Sequence, residues 1–406
     1  MTPIFAKRLE RIGAAPSHAL MARVRALRGA GIEVEDFSRQ GPPPSAAIRA
    51  ATEAMGRAGS AFYTDPRGDP ELRQTIARKL ALENAIQADP DGEIVVTVGA
   101  KEAILAALLA LVGEGDEVIL EDPGYLGFEP LVRLAGATPV PVRLHAGNGF
   151  RPNLSAFERA LTPRTKVLLL SNPHNPTGRV LARVELEAIA RFASDAKLVV
   201  IMDEAYEHFV FDGRVFVSLA SLPGAAPRTV TIQTVSKVYN MAGWRIGWLV
   251  ADGELARRVT QVHTHAVTCP AAIMQAGAEA AIRSGLGESD LPFAEIRTIY
   301  AERRTALVEA LRAIPGVDFV APEGGYFGLP DFASFGMSST ELSEYLLGEA
   351  SVAATPGVAF GEGGEGHLRF VFKTGDDAIR RGVARIAEAL ARLPRSAGAR
   401  PAEQCR

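Results

Sequence analysis

From residue 46 onward, segments with helical spacing of apolar residues alternate with short runs that are apolar throughout. The runs at 94–98, 166–170 and 197–202 have the length of strands and no polar face, which predicts strands buried on both sides of a mostly parallel sheet. The stretch at 116–136 reads as strand, turn and helix, and 229–235 and 244–250 add two further strands. Helices are expected at 46–57, after Asp69-Pro70-Glu71, over 103–112, and through Thr264. The Asp69 segment combines a cap, a proline at the first helical position and an acid in the first turn.

This alternation stops near Leu286. A long helix is expected at 297–314, then edge-like strands broken by Pro and Gly in GGYFGLPDF and VAATPGVAF. An amphipathic helix at 340–349, a strand in HLRFVFK and a final helix ending near Leu393 complete the pattern. Ahead of the alternation lie an amphipathic arm and helix up to Arg28, a short strand at 32–37, and the irregular SRQGPPP at 38–44. Three consecutive prolines forbid a helix or a central strand there. The expected fold is α/β. A large domain at 45–285 has a mostly parallel sheet in three αβα layers, and a smaller α+β domain is built from 1–44 and 286–394. A disordered tail is expected at 395–406.

Composition narrows the function. The 406 residues are 47% hydrophobic and 22% charged, ordinary for a globular protein with a large core. A net charge of -3 argues against a nucleic-acid or membrane-surface partner. Cys269 and Cys405 form neither a disulfide framework nor a metal-ligand cluster, so no metal is expected. The opening MTPIFAKRLERIG lacks the apolar core of a signal peptide, and the longest apolar run, near 104–112, is too short for a bilayer. A cytoplasmic setting is expected.

The candidate chemistry centres on 231–248, TIQTVSKVYNMAGWRIGW. Lys237 follows a strand-like run and Arg245 stands eight residues later. A lysine that attacks a carbonyl must be partly deprotonated, and cationic or apolar surroundings are expected to lower its pKa. Arg245 with the hydroxyls of Thr234 and Ser236 suits a phosphate. A lysine for an aldehyde beside an arginine for a phosphate describes pyridoxal 5'-phosphate, PLP.

Further residues suit the same site. The strand at 94–98 runs into Gly99-Ala100-Lys101 at a helix start, where backbone N–H groups favour phosphate. In NPHNPTG, two Asn-Pro pairs present Asn175 at the carboxyl end of a strand, where ligands bind in open α/β sheets. Asp203 closes the next strand and can pair with a pyridinium nitrogen, with Tyr206 three residues on. Arg369, amid apolar neighbours, can hold a carboxylate through two parallel hydrogen bonds.

Over about 24–393 this pattern resembles the PLP-dependent aminotransferases of fold type I, the aspartate aminotransferase superfamily, class I/II. The resemblance implies a Lys237 Schiff base with PLP, and Lys237 as the base that moves the α-proton. It implies that Asp203 keeps the ring protonated and that Asn175 and Tyr206 bond the ring oxygen O3'. Tyr125, in Asp122-Pro123-Gly124-Tyr125, would cover the ring face. Gly99, Ala100, Lys101, Thr234, Ser236 and Arg245 would hold the cofactor, and Tyr63 would reach the partner's phosphate across a homodimer. Arg369 and Asn175 would hold the substrate carboxylate, with Gln40 and Gly41 in the substrate loop. The implied reaction moves an amino group from an L-amino acid to a 2-oxo acid with ping-pong kinetics.

Two departures leave donor, acceptor and pathway open. Arg39-Gln40-Gly41-Pro42 replaces the family's Gly-Glu-Pro-type turn, and Thr264, between His263 and His265, stands where dicarboxylate-specific enzymes bring a partner's arginine. The histidines are expected at a subunit interface. Lys101 hints at an acidic side chain. The alternative is a same-fold PLP enzyme for elimination, replacement, cyclisation or oxidation of an amino acid in specialised metabolism. A dinucleotide dehydrogenase would need a Gly-x-Gly-x-x-Gly turn after its first strand, which is absent.

Overall fold

The computed structural model describes residues 5–13, 16–38, 41–286 and 293–393. Its helices are α1 (Pro16–Gly29), α2 (Ser45–Met55), α3 (Pro70–Glu83), α4 (Ala100–Leu111), α5 (Phe128–Leu134), α6 (Leu154–Ala160), α7 (Arg183–Asp195), α8 (Gly253–Ala266), α9 (Ala272–Gly285), α10 (Phe293–Arg312), α11 (Ser339–Glu349) and α12 (Asp376–Leu390). Seven strands form the main sheet: β1 (Ile94–Thr97), β2 (Glu117–Asp122), β3 (Thr138–Arg143), β4 (Thr165–Ser171), β5 (Val199–Asp203), β6 (Thr229–Thr234) and β7 (Gly247–Val250). Their order is β1-β7-β6-β5-β4-β2-β3, and β7 alone runs against its neighbours. A second, antiparallel sheet has the order β8-β10-β9, from β8 (Phe327–Gly328), β9 (Thr355–Pro356) and β10 (Leu368–Val371).

Why the runs lack a polar face is visible in the packing. Ile94 and Val96 face a cluster with Leu72, Ile76, Trp248 and Ile282, whereas Val95 faces Ala103, Leu108, Val132 and Val259. Leu168 and Leu170 pack on Phe157, Leu186 and Ile189 of α6 and α7. Each strand is covered on both sides, so alternation carries no signal. The first cluster continues through Phe37 and Phe319 to Phe370 and Ile386 beside the second sheet. Val24 and Val34 also pack there, against Leu347 and Ala353.

The expected α/β fold with a mostly parallel main sheet is present. Two local expectations fail, and one strand goes unread. Residues 32–37 form no strand: Glu35 makes one isolated bridge with Val352, and Phe37, at φ 50°, turns the chain away. Residues 244–246 lie outside β7, because Ala242–Trp244 is a 3-10 turn and Arg245 is left-handed at φ 56°. β3 escaped notice because Pro139 and Pro141 interrupt its pattern, and a proline-bearing strand is tolerated at the sheet edge it occupies. No helix among the described residues is long and apolar enough to cross a membrane.

The register brings one end of the sheet together. Thr97 pairs with Gly247, and Gly247 with Thr234, so the turns after β1 and β6 and the entry to β7 meet at one edge. A Cβ on Gly247 would lie 2.6 Å from the Ala100 nitrogen, so only glycine lets β7 pass this close to the start of α4.

Candidate active site

Lys237 lies in the turn that follows β6 and lines a cavity of about 250 Å³. Ala100, Lys101, Tyr125, Asn175, Asp203, Tyr206, Thr234, Ser236 and Arg245 share the lining. Residues from five separate βα or ββ turns thus converge, as the parallel topology demands.

One end of the cavity is a cradle of donors. Gly99, at φ 79°, precedes α4 and has no side chain to cap it, so first-turn N–H groups are left for an outside acceptor. Arg245 crosses that turn, donating from Nη1 to the Ala242 carbonyl at 2.9 Å and from Nη2 to the Val98 carbonyl at 3.2 Å. A Cβ on Gly99 would stand 2.3 Å from Nη2, so glycine is what allows the guanidinium to lie there. Thr234 Oγ1 donates to the Ile246 carbonyl at 2.8 Å, and Ser236 Oγ lies 2.8 Å from the same hydroxyl. Thr234 therefore props Ser236. Glu102 accepts from the Val98 N–H at 3.1 Å and lies 3.0 Å from His263 Nδ1. His263 is buried between α4 and α8, which corrects its expected place at an interface.

The Asn-Pro turn is tied from within. Leu181 N–H donates to Asn172 Oδ1 at 2.9 Å and Asn175 N–H to Ser171 Oγ at 3.2 Å. The peptide bonds before Pro123, Pro173 and Pro176 are cis. Beneath them His174 Nε2 faces Glu121 Oε2 at 3.4 Å. Burial pulls His174 down to about 3 and pushes Glu121 up to about 8, so both are neutral at pH 7. His174 fills the turn.

Asp203 ends β5, and its Oδ1 accepts from the Ala205 N–H at 3.1 Å. Burial raises its pKa to about 6, against the pull of that hydrogen bond and of Lys237. The Lys237 ammonium lies 5.0 Å from the Tyr206 ring centroid. The expected lowering of the lysine pKa is not met. Burial works in that direction, but the phenolic oxygens of Tyr206, Tyr326 and Tyr125 outweigh it and hold the amine above its ordinary value.

Arg369 reaches the turn from β10. Its Nη1 donates to Asn175 Oδ1 at 3.2 Å, and its guanidinium carbon lies 4.7 Å from the Phe360 ring centroid. Its Nε is buried without a partner. A partly buried guanidinium without a carboxylate carries a poorly compensated charge, which suits an anionic ligand.

The other expected residues fall less centrally. Gly41 lines a neighbouring cavity with Arg303 and Lys373, and Gln40 lies outside the described residues. Tyr63 is 84% exposed and does not reach the cavity of its own chain. Sequence reasoning missed Tyr326, Phe360, Lys373 and Glu102, none of which stands in a motif. A glycine pair before Tyr326 was the one visible signal.

The arrangement fits a phosphate-bearing aldehyde with a basic ring nitrogen. An amine, an uncapped helix start crossed by an arginine, and a buried carboxylate line one cavity, and no cluster of metal-binding side chains occurs among the described residues. Comparison with known proteins agrees. A sequence profile for aminotransferase class I and II matches residues 33–386. The chain is 38% identical over 340 residues to an aspartate aminotransferase of Pyrococcus abyssi, covering 84% of this chain and 86% of that protein. It is 35% identical to a probable aspartate/prephenate aminotransferase of Aquifex aeolicus, covering 95% and 98%. Among solved structures, aspartate aminotransferase from Thermus thermophilus with maleate superposes with a TM-score of 0.89 at 32% identity, covering 96% of this chain and 100% of that one. The chain therefore belongs to the class I and II aminotransferases, PLP-dependent enzymes that move an amino group from an amino acid to a 2-oxo acid.

Proposed function

We propose that this aminotransferase works through Lys237, Asp203, Tyr206, Asn175 and Arg369. Bound PLP supplies an electrophilic carbon for the lysine and an electron sink for the substrate's α-carbon. Lys237 forms the covalent link and, once released, carries the α-proton as a general base. Asp203 sets its carboxylate against the ring nitrogen. Tyr206 and the free amide N–H of Asn175 serve the ring oxygen, while Asn175 Oδ1 stays with Arg369. Tyr125 covers the ring. Gly99, Ala100, Lys101, Ser236 and Arg245 hold the phosphate, with Thr234 behind Ser236. The return half-reaction with a 2-oxo acid makes the kinetics ping-pong.

The observation that carries this reading is Arg369. It is fixed by Asn175 and Phe360, its Nε is unpartnered, and an α-carboxylate supplies the missing acceptor. Gly41 belongs to the same substrate region through its neighbouring cavity. Lys101 is exposed at the cavity, so an acidic side chain is the first to test. Aspartate aminotransferase relatives support that choice.

Two assignments of architecture accompany it. Residues 45–285 form the large domain, and 1–44 with 286–394 the small one. The contacts of Val24, Val34 and Glu35 with Leu347, Ala353 and Val352 support this division. The working unit is a homodimer, with Tyr63 serving the partner's phosphate. Met55, Phe62 and Tyr63 are 64%, 74% and 84% exposed, an apolar surface that suits association.

The test is the absorbance of purified protein with PLP, followed by single additions of each amino acid. A lysine-bound cofactor band that is lost to one amino acid, with the matching 2-oxo acid released, is the expected result. A band unchanged in Lys237→Ala, or product without amino transfer to the cofactor, overturns it.

A further inference from the structure

Behind the turn after β5 lies a buried set of charged and amide side chains that the reaction does not use. Asp203, Ala205 and Tyr206 of this turn line the Lys237 cavity, while Glu204 and Glu207 bond to side chains outside it. Lys79 of α3 is fully buried, and its Nζ donates to Glu207 Oε1 at 2.5 Å, Asn84 Oδ1 at 2.7 Å and Gln233 Oε1 at 3.1 Å. An ammonium has three N–H donors, so each has an acceptor. Gln233 of β6 donates from Nε2 to Glu207 Oε2 at 3.0 Å and to Glu204 Oε2 at 3.2 Å. Asn84 Nδ2 donates to Glu207 Oε2 at 2.6 Å and to Ser218 Oγ at 3.1 Å, and Ser218 donates to Glu204 Oε2 at 2.5 Å. Of these side-chain atoms only Glu204 Oε1 lacks a partner.

The turn has little of its own to fix it. Glu207 N–H reaches the Glu204 carbonyl at 3.1 Å, and Phe209 N–H reaches the Tyr206 carbonyl at 2.9 Å. The two glutamates flank Tyr206 in sequence, so gripping both carboxylates fixes the backbone on either side of it. Burial raises Glu204 to about 8, which leaves it largely neutral at pH 7, and Lys79 with Glu207 stands as one cation against one anion. A hydrogen-bonded set this well satisfied in a buried place is rigid and specifies one geometry. Gln233 also precedes Thr234, so β6 carries a cavity residue and the rear grip side by side.

Resting on the reading of Lys237 and Tyr206 above, we propose that Lys79 and Gln233 are positioning residues: by gripping Glu204 and Glu207 from behind, they hold the turn that sets the Tyr206 hydroxyl against the cofactor's ring oxygen. Neither lines the Lys237 cavity, so neither touches substrate, cofactor or the reacting atoms. A set that served only to stabilise the fold would lower the melting temperature and leave the cofactor's titration where it was.

The experiment is a pH titration of the lysine-bound cofactor band in the loaded enzyme, for wild type, Gln233→Met and the Lys79→Met/Glu207→Gln pair. Each is measured with Tyr206 intact and with Tyr206→Phe. These substitutions leave the net charge unchanged, so a shift reports position and not a new field. A Tyr206 hydroxyl displaced from the ring oxygen leaves that oxygen more basic, which favours the protonated lysine link. The midpoint is therefore expected to rise by about one pH unit in either variant, a tenfold change in the equilibrium. With Tyr206→Phe already present the same substitutions add nothing, because the route runs through Tyr206. Leu80→Ala, fully buried beside Lys79 in α3, is expected to lower the melting temperature without moving the midpoint. Gln233→Met keeps the Lys79–Glu207 pair and carries the test alone if the double variant does not fold. An unmoved midpoint in Gln233→Met, an equal shift with Tyr206→Phe present, or a like shift in Leu80→Ala overturns this role alone. Absence of the band from the wild type overturns the reading of the site, and this role with it.

Discussion

Arg369 Nη1 and Asn175 Oδ1 lie 3.2 Å apart, joining β10 of the second sheet to the turn after β4 of the first. The same arginine lies over Phe360, whose carbonyl accepts from the Gly124 N–H at 2.8 Å, next to Tyr125. Glycine is required in this second crossing: a Cβ on Gly363 would stand 2.5 Å from the Asp122 carbonyl oxygen. The proposed carboxylate anchor is thus held by two contacts between the sheets.

Arg369→Lys keeps a charge but loses the planar fork and the stacking on Phe360. Losing one charge-assisted hydrogen bond costs about 1.5–3 kcal/mol, so kcat/KM for the amino acid is expected to fall roughly 10- to 150-fold. Steady-state kinetics should show most of this in KM, with the lysine-bound cofactor band unaltered.

Gly99→Ala tests the phosphate cradle. The added methyl meets Arg245 Nη2 at 2.3 Å and forces a side chain onto φ 79°. Strain of this kind costs about 1–3 kcal/mol. The expected outcome is weaker PLP binding, read by equilibrium titration, with a smaller change in the melting temperature of cofactor-free protein. Equal PLP affinity in the variant would remove this turn from the phosphate site.

What could be read from the sequence depended on whether a residue's task was local. Asn175, Asp203 and Lys237 each follow a buried strand, and such an ending is visible as an apolar run that stops at a polar group. Arg369 was visible because a lone guanidinium stands amid apolar neighbours in β10. Tyr326 and Phe360 are placed by contacts with residues more than a hundred positions away, and nothing beside them in the chain marks that. The lysine pKa failed for the same reason: its direction is set by three phenols from three other segments. Gly41, expected in the substrate loop, lies beside Asn240 and lines the adjoining cavity, a placement set by the distant Arg303 and Lys373 that share it.

Asp203 gives a pH dependence with a definite sign. Its carboxyl is raised by burial to about 6, and only its ionised form pairs with a ring cation. PLP affinity should therefore hold above about pH 6 and fall as pH drops through that value, by up to tenfold per unit. Asp203→Asn should bind PLP weakly at all pH values and show no such step. A step of equal size in the variant would assign it to another group.

Glu204 makes a separate prediction about stability. It is buried behind Asp203, bonded by Ser218 at 2.5 Å and Gln233 at 3.2 Å, and raised to about 8 by burial and by Glu207. A folded value above the unfolded one means that its stabilising contribution is complete below about pH 4.5 and lost as pH rises through about 8. Glu204→Gln, which keeps the shape without the titration, should flatten the alkaline side of the melting-temperature profile. Since one pKa unit is about 1.4 kcal/mol, the expected gain at alkaline pH is a few kcal/mol at most.

Tyr63 offers the sharpest test of the proposed dimer, because the task assigned to it lies in the other subunit. Within its own chain the side chain is 84% exposed and lines no part of the Lys237 cavity. Two inactive or weakened proteins can then repair each other. Lys237→Ala removes the lysine from its own site but supplies an intact Tyr63 to the partner, whereas Tyr63→Ala does the reverse. Mixing equal amounts after dissociation and reassociation gives dimers with one fully intact site, and statistical pairing predicts about a quarter of wild-type activity. Lys237→Ala alone should lose about 10²–10⁴-fold or more through the missing base. Tyr63→Ala alone should show weaker PLP retention. If the mixture only averages its components, Tyr63 does not act across the interface, and its exposed ring must be explained by packing between subunits alone.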